Sequence, residues 1–290
     1  MTRLDVFLSK KFCDLTRSQI KRYIEGGYVK VNNMVVNRPS LDISNEEEID
    51  FIPPKVNDFT LEINQFSRNV VYEDDNVIVI NKPAGLLVHA KGGICNEFTV
   101  EDYVRSKFNH EEVLTNLENN RLGIVHRLDR ATSGVMICAK NLATASYLSK
   151  QFSERTTHKT YLAIVSQIPK ISSARIELPV GRNLSRPSTF KVDAKGKAAI
   201  TDYKIIHVND DGTALVELNP QTGRTHQLRV HMAYIGCPIV GDQVYGNDKL
   251  KSNSRLMLHA LKLEISIPGK KENERRVFVA DPPKEFEYGL

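Results

Sequence analysis

Asp129 stands in a block of cations, Arg121, His126, Arg127 and Arg130, and is followed by Thr132-Ser133-Gly134 and a strand-like apolar run from Val135 to Ala139. Nearby positive charge favours the ionised form of an acid. An ionised carboxylate suits nucleophilic attack or charge stabilisation better than proton donation. The same residues fit a structural ion pair in a turn, since such pairs also perturb titration. Three further side chains would have to meet Asp129 to build a site. Tyr161, in Lys159-Thr160-Tyr161-Leu162, reads by spacing as a half-buried strand tyrosine. Arg229 lies about one turn into a helix begun near Arg224, where it could be another surface cation, and its neighbour Leu228 fits ordinary core packing.

Other chemistries fit less well. The cysteines, Cys13, Cys95, Cys138 and Cys237, are scattered with no CxxC pair. That argues against a disulfide frame or a zinc site and for a reducing cytoplasm. A zinc deaminase would need a Pro-Cys-x-x-Cys arrangement beside its His-x-Glu. His226 and His231 are five apart, not the spacing of a helical metal pair. Gly92-Gly93 lacks the GxGxxG context of a nucleotide loop. No apolar run approaches the ~18 residues of a membrane span, and the start, MTRLDVFLSKKF, lacks the apolar stretch of a secretory signal. The net charge of +5 permits a polyanionic partner without requiring one.

At 290 residues the chain has room for about two domains. Residues 1–53 read as a small α/β module. Asp14 to Ser18 is a turn and helix start, Gln19 to Glu25 a helix stopped by Gly26-Gly27, and two short strands flank an Asn32-Asn33 turn. Ile43 to Phe51 closes the module. Between Lys10 and Arg38 seven cations face two acids, a plausible phosphate-tracking face or simply a solvated one. Residues 54–68, opening near Pro53-Pro54, read as a linker, and 69–290 as a second domain.

That second domain begins with a hairpin, Val70 to Ile80, followed by the turn Asn81 to Gly85. Thr99 with Asp102 forms a capping box for a helix to about Phe108, and 109–120 is a polar insertion. Leu142, Ala145, Leu148 and Phe152 share one helix face behind Asn141. Strands follow at Lys159 to Val165, Ala174 to Val180, Ala198 to His207 and Ala214 to Leu218, with a basic loop at Gly181 to Lys197 and a late strand from Arg255. Runs of strands with a few flanking helices predict an α+β fold on a mostly antiparallel sheet.

HRLDRATSG at 126–134 resembles the signature of RluA-type pseudouridine synthases, whose commonest form has an acid where Ala131 stands here. NKPAGLLVH at 81–89 resembles the family's first motif, GRTHQLRVHMAYIGCPIVGDQVYG at 223–246 its third, and RLMLHA at 255–260 a further block. With KTY at 159–161 in order, the match spans about residues 68–265. RLDVFL and TRSQIKRYIEGGYVKVNN, in the first module, resemble the RNA-binding domain shared with ribosomal small-subunit protein S-four.

The resemblance implies an enzyme that breaks the bond between ribose and uracil nitrogen and rejoins the base through ring carbon five. It makes Asp129 the catalytic residue, leaving open whether it attacks the sugar, attacks the base or promotes a glycal route. It pairs Arg229 with Asp129, stacks Tyr161 on the uracil, walls the pocket with Leu228 and places Arg127 in the space left by a flipped base. His126 would support the loop or contact the RNA backbone. Arg17, Ser18, Lys21 and Arg22 would meet RNA phosphates. An isomerisation of this kind needs no metal or organic cofactor. The implied partner is RNA, ribosomal large-subunit RNA first and transfer RNA second, and nothing demands more than a monomer. The rival from another class is a non-catalytic RNA-binding or ribosome-assembly factor.

Overall fold

The computed structural model describes residues 2–12, 15, 17–44, 47–52, 58–90, 97–109, 113, 121–246, 255–269 and 273–286. Asp14, Thr16, Pro53-Pro54, Cys13, Cys95 and most of the polar stretch 109–120 lie outside the described residues. The chain divides into two compact units, Met1–Gln65 with His89–Leu122, and Phe66–Val88 with Gly123–Leu290.

The first unit holds β1 (Thr2–Arg3), α1 (Leu4–Lys11), α2 (Arg17–Glu25), β2 (Val29–Val31), β3 (Met34–Val35), β4 (Asp42–Ile43) and β5 (Ile49–Phe51). α3 (Thr60–Phe66) ends at the division, and α4 (Val100–Arg105) follows later in the chain. On α2, Ile20 and Ile24 are buried four residues apart while Arg17 and Lys21 are exposed. Gly27 ends that helix at φ 80°, where a side chain would be strained. Asn32 and Asn33 both take positive φ between β2 and β3, as a two-residue hairpin turn requires. α1 has no counterpart in the pattern reading, yet Leu4 and Leu8 are both fully buried with Ile20, Ile24 and Val29. α3 lies within the stretch read as a linker. Its Asp58 cap accepts from the Thr60 N–H at 2.9 Å, but exposed Leu61 leaves no apolar stripe to notice.

The second unit is built on one mixed sheet. Its strands are β6 (Val70–Glu73), β7 (Val77–Lys82), β8 (Ser133–Ala139), β9 (His158–Val165) and β10 (Ser173–Glu177), then β13 (Ile200–Val208), β14 (Ala214–Pro220), β15 (Leu258–Ile267) and β16 (Glu274–Val279). The order is β10-β13-β14-β9-β15-β8-β7-β6, with β16 pairing the far half of β15. Every pairing is antiparallel except β15 with β8. α5 (Leu142–Glu154) packs on β8 and β15, capped by Asn141, whose side chain accepts from the Thr144 N–H. α6 (Gln227–Tyr234) buries Leu228 and Met232 in the sheet's main core.

Two stretches differ from expectation. The basic segment from Gly181 to Lys197 is not all loop: β11 (Val180–Arg182) and β12 (Phe190–Val192) form a separate two-stranded ribbon. β10 stops at Glu177 because Pro179 has no N–H to donate to a ladder. β16 is an additional strand whose charged start hides the alternation of exposed Val277 and Val279 with buried Phe278.

The β8–β15 junction sits directly behind the Asp129 loop. Gly134 faces Ala260 across it at φ 119°, and a Cβ there would run into the Ala260 carbonyl. Gly134→Ala should therefore cost about 3 kcal/mol through strain and overpacking, read as a lowered urea midpoint with unchanged slope. A wild-type midpoint would mean that the junction yields.

Candidate active site

The loop carrying Asp129 is pinned on both sides. Ile124 bridges Cys138, Gly123 O accepts from the Ala139 N–H, and Thr132 N–H closes a turn on Asp129 O at 3.0 Å. Arg130 and Gly85 exchange hydrogen bonds, Gly85 N–H to Arg130 O at 2.8 Å and Arg130 Nε to Gly85 O at 2.9 Å. Beneath them Lys82 is fully buried, and its Nζ donates to the carbonyls of Pro83, Leu86 and Arg130 at 2.9, 2.9 and 3.2 Å. Burial pushes the Lys82 amine down to about 7, with Arg130 and Arg255 adding to the effect and Asp129 opposing it. The first-motif turn is thus tied to the Asp129 loop by one buried side chain.

Arg229 reaches Asp129 from the first turns of α6, with Nη1 3.4 Å from Oδ2. The guanidinium is itself held by Asp242, Nε to Oδ2 at 2.8 Å and Nη2 to Oδ1 at 2.7 Å, in the bidentate geometry that fits a planar fork. The Tyr245 ring lies 5.1 Å from the guanidinium carbon, within cation–π range. Asp242 is buried and also accepts from the N–H groups of Val244 and Tyr245 at 2.9 and 3.0 Å. Burial opposes the charge of Asp242, but the Arg229 pair and those amides outweigh it and hold the carboxyl below its ordinary value. Burial likewise works against Arg229, and Asp242, with Asp129 adding, keeps its pKa above the usual one. Neither Asp242 nor Tyr245 stands out in the sequence; both lie in the GDQVYG turn, whose pattern signals a loop rather than a partner for Arg229.

Helix α6 is oriented by a chain of hydrogen bonds. Gln227 Nε2 donates to Ile200 O and to Thr201 Oγ1, and its Oε1 accepts from Thr222 Oγ1 and the Arg224 N–H. His231 joins Leu178 O through Nε2 at 2.9 Å and Thr201 Oγ1 through Nδ1 at 3.0 Å. Because the carbonyl can only accept, Nε2 carries the proton and Nδ1 accepts from Thr201. His259 follows the same logic, with Nε2–H on Ala280 O, Nδ1 accepting from Ser133 Oγ, and Ser133 Oγ accepting from Arg255 Nη1.

The other anticipated residues fall into two groups. Tyr161, on β9, is half-buried beside the main core, and burial together with the charge of Asp129 pushes its phenol pKa up. Arg127 is exposed and carries no ion pair or hydrogen bond among the described residues. Leu228 is 8% exposed and packs in the core. His126 faces the protein: its ring stacks on Phe152 at 4.4 Å, and Nε2 accepts from the Ile137 N–H at 3.1 Å. Burial pushes it down to about 3, in keeping with a nitrogen that must accept. In the first unit, exposed Arg17 is tied to buried Asp5 at 2.9 Å, Lys21 is exposed, and Ser18 and Arg22 are half-buried.

Asp129 thus has Arg229 in contact and lies close enough to Tyr161 for its charge to act on the phenol. The family described as RNA pseudouridylate synthase matches residues 76–234, and the S4 domain matches residues 2–49. "Ribosomal large subunit pseudouridine synthase D" of Borreliella burgdorferi is 40% identical over 98% of this chain and 87% of its own length. The protein of the same name from Haemophilus influenzae is 33% identical over 92% of this chain and 84% of its own. Among solved structures, human RNA pseudouridylate synthase domain containing 1 is 29% identical with a TM-score of 0.58, covering 74% of this chain and 83% of that one. This chain belongs to the RNA pseudouridylate synthase family. It is an RNA pseudouridine synthase with an N-terminal S4 domain, an enzyme that isomerises uridine in RNA.

Asp242→Ala should strand a buried guanidinium and lower the unfolding free energy by about 3–5 kcal/mol. Urea titration checks it, and a loss below about 1 kcal/mol, the scale of a solvated pair, would show that water replaces the lost carboxylate.

Proposed function

We propose that this enzyme acts on ribosomal large-subunit RNA, with Asp129 as the reacting carboxylate and Arg229 as its partner. The observation that carries the second part is the Nη1–Oδ2 approach of 3.4 Å between a buried guanidinium and a carboxylate whose side chain keeps 27% of its surface open. The first part rests on the names of the Borreliella and Haemophilus relatives; transfer RNA is the second substrate class. Residues 1–53 serve as the RNA-binding module, 54–68 as a linker and 69–290 as the catalytic domain. The enzyme works as a cytoplasmic monomer; no described helix is long and apolar enough to cross a membrane.

The target uridine is extruded, at a cost of a few kcal/mol in unstacking, and exposed Arg127 fills the vacated stack. Asp129 then drives cleavage of the bond between ribose carbon one and uracil nitrogen one. The base turns, carbon five bonds to the ribose, the proton on carbon five leaves and nitrogen one gains a proton, so atoms balance without a cofactor. Tyr161 stacks on the uracil with its hydroxyl protonated, because burial and the adjacent negative charge both favour the neutral phenol. Leu228 backs the pocket, and His126 acts on substrate only through the loop it braces.

Asp129→Asn should abolish pseudouridine formation and leave RNA binding nearly intact. Carbodiimide mapping of total RNA from cells carrying only this variant would show the target uridine unmodified, in large-subunit RNA. Modification by the variant would overturn the role of Asp129, and a target in transfer RNA would overturn the substrate. On the first module, Lys21→Ala should reduce the slope of log affinity against log salt by about 1, as loss of one phosphate contact does. An unchanged slope in filter binding would take Lys21 off the RNA face.

A further inference from the structure

His226 stands apart from the histidines that brace the fold. It occupies the N-cap of α6 at φ 57° and ψ 16°, left-handed backbone that a non-glycine residue rarely adopts, and its side chain caps nothing. Such local strain persists where the surroundings impose it, and it clusters at functional sites. Here the surroundings are aromatic. The ring meets Phe190 and Tyr245 edge to face, both with centroids at 5.6 Å, and Nδ1 lies 2.8 Å from the Tyr245 hydroxyl.

That contact determines which nitrogen carries the proton. The Tyr245 oxygen accepts from the Phe190 N–H at 2.8 Å, and the acceptor for its own proton among the described residues is His226 Nδ1. Nδ1 therefore accepts, and neutral His226 bears its proton on Nε2. Nε2 faces Asp129 Oδ2 at 3.9 Å, the same oxygen that Arg229 Nη1 approaches at 3.4 Å. Oδ1 of Asp129 has no hydrogen-bond partner among the described residues.

We propose that His226 is a positioning residue for Asp129: Tyr245 fixes its tautomer, its Nε2–H joins Arg229 on Oδ2, and Oδ1 is thereby presented to the nucleotide. The separation of 3.9 Å closes to a hydrogen bond when the site fills, as active-site contacts that are long in the free enzyme commonly do. The left-handed backbone aims the ring at Asp129 rather than along the helix. This role rests on Asp129 being the reacting carboxylate, and the test separates the two.

The full-length enzyme is assayed by tritium release from RNA labelled at uridine carbon five and isolated from cells lacking the gene. His226→Asn keeps a residue that tolerates left-handed backbone but cannot place a donor at Nε2. It should lower kcat about 10- to 100-fold, the scale of an ångström-level misplacement of a reacting group, with KM and filter-binding affinity within about 2-fold. Tyr245→Phe keeps the ring under Arg229 but frees the tautomer, and should lower kcat less, again with KM unchanged. The double variant should be no slower than His226→Asn alone, because Tyr245 acts through His226. Wild-type kcat in either single variant, a loss confined to KM, or additive losses in the double variant would each overturn the proposal. Tyr245→Phe decides it even if His226→Asn does not fold. An active Asp129→Asn control would instead remove the reading on which the proposal stands.

Discussion

A guanidinium held between two carboxylates of unequal burial is the constraint on which the site depends. Asp242 is enclosed and takes two short bonds from Arg229; Asp129 is partly open and takes one long one. The inner pair is close to neutral and self-compensating, which is the condition under which a buried ion pair is tolerable. Asp129 is then the excess negative charge, steadied by Nη1 but not neutralised by it. A lysine could not do this, since only the rigid fork of arginine can spend two nitrogens on one carboxylate and aim a third at another.

The rest of the second unit keeps that geometry fixed. The α6 backbone is set by Gln227 and His231 against β13, so Arg229 leaves the helix in one direction. The loop opposite is set by Lys82 and by the Gly85–Arg130 exchange. The parallel contact of β8 with β15 at Gly134 determines where the loop enters the sheet. Lys82, Gln227 and His231 are buried polar groups, and each spends its polar atoms on carbonyls or hydroxyls. A half-satisfied network would leave the loop and the helix free to separate by the ångström that matters in catalysis.

Much of this is legible in the amino-acid sequence. The Gly26-Gly27 stop placed the end of α2, the capping box at Thr99 and Asp102 the start of α4, and apolar spacing the helix behind Asn141, because each is a local signal and the local physics prevails there. Spacing could flag Asp129 as unusual but could not pair it with Arg229, one hundred residues away; the motif order supplied that link, not the pattern of charges. What escaped was non-local or disguised. Asp242 looks like a turn residue because its partner comes from another element. The β11–β12 ribbon looks like a basic loop because its strands are three residues each. α1 escaped because its apolar positions make sense only against α2.

The histidines show why residue type alone underdetermines role. His126, His231 and His259 would each pass as acid–base candidates by composition. Yet each has at least one ring nitrogen committed to a backbone partner of fixed polarity: His126 accepts from an amide, and the other two donate to carbonyls. Those bonds prescribe a neutral tautomer and hold the ring in place, which suits a brace and not a proton carrier. His226 differs in what its partner is. A phenol can donate or accept, and it donates here because His226 Nδ1 is the acceptor that its proton has among the described residues. The chain Phe190, Tyr245, His226 therefore runs from the ribbon to within 3.9 Å of Asp129 with a single sense of donation. That directionality ties the ribbon, otherwise a pair of short strands, to the orientation of one imidazole ring.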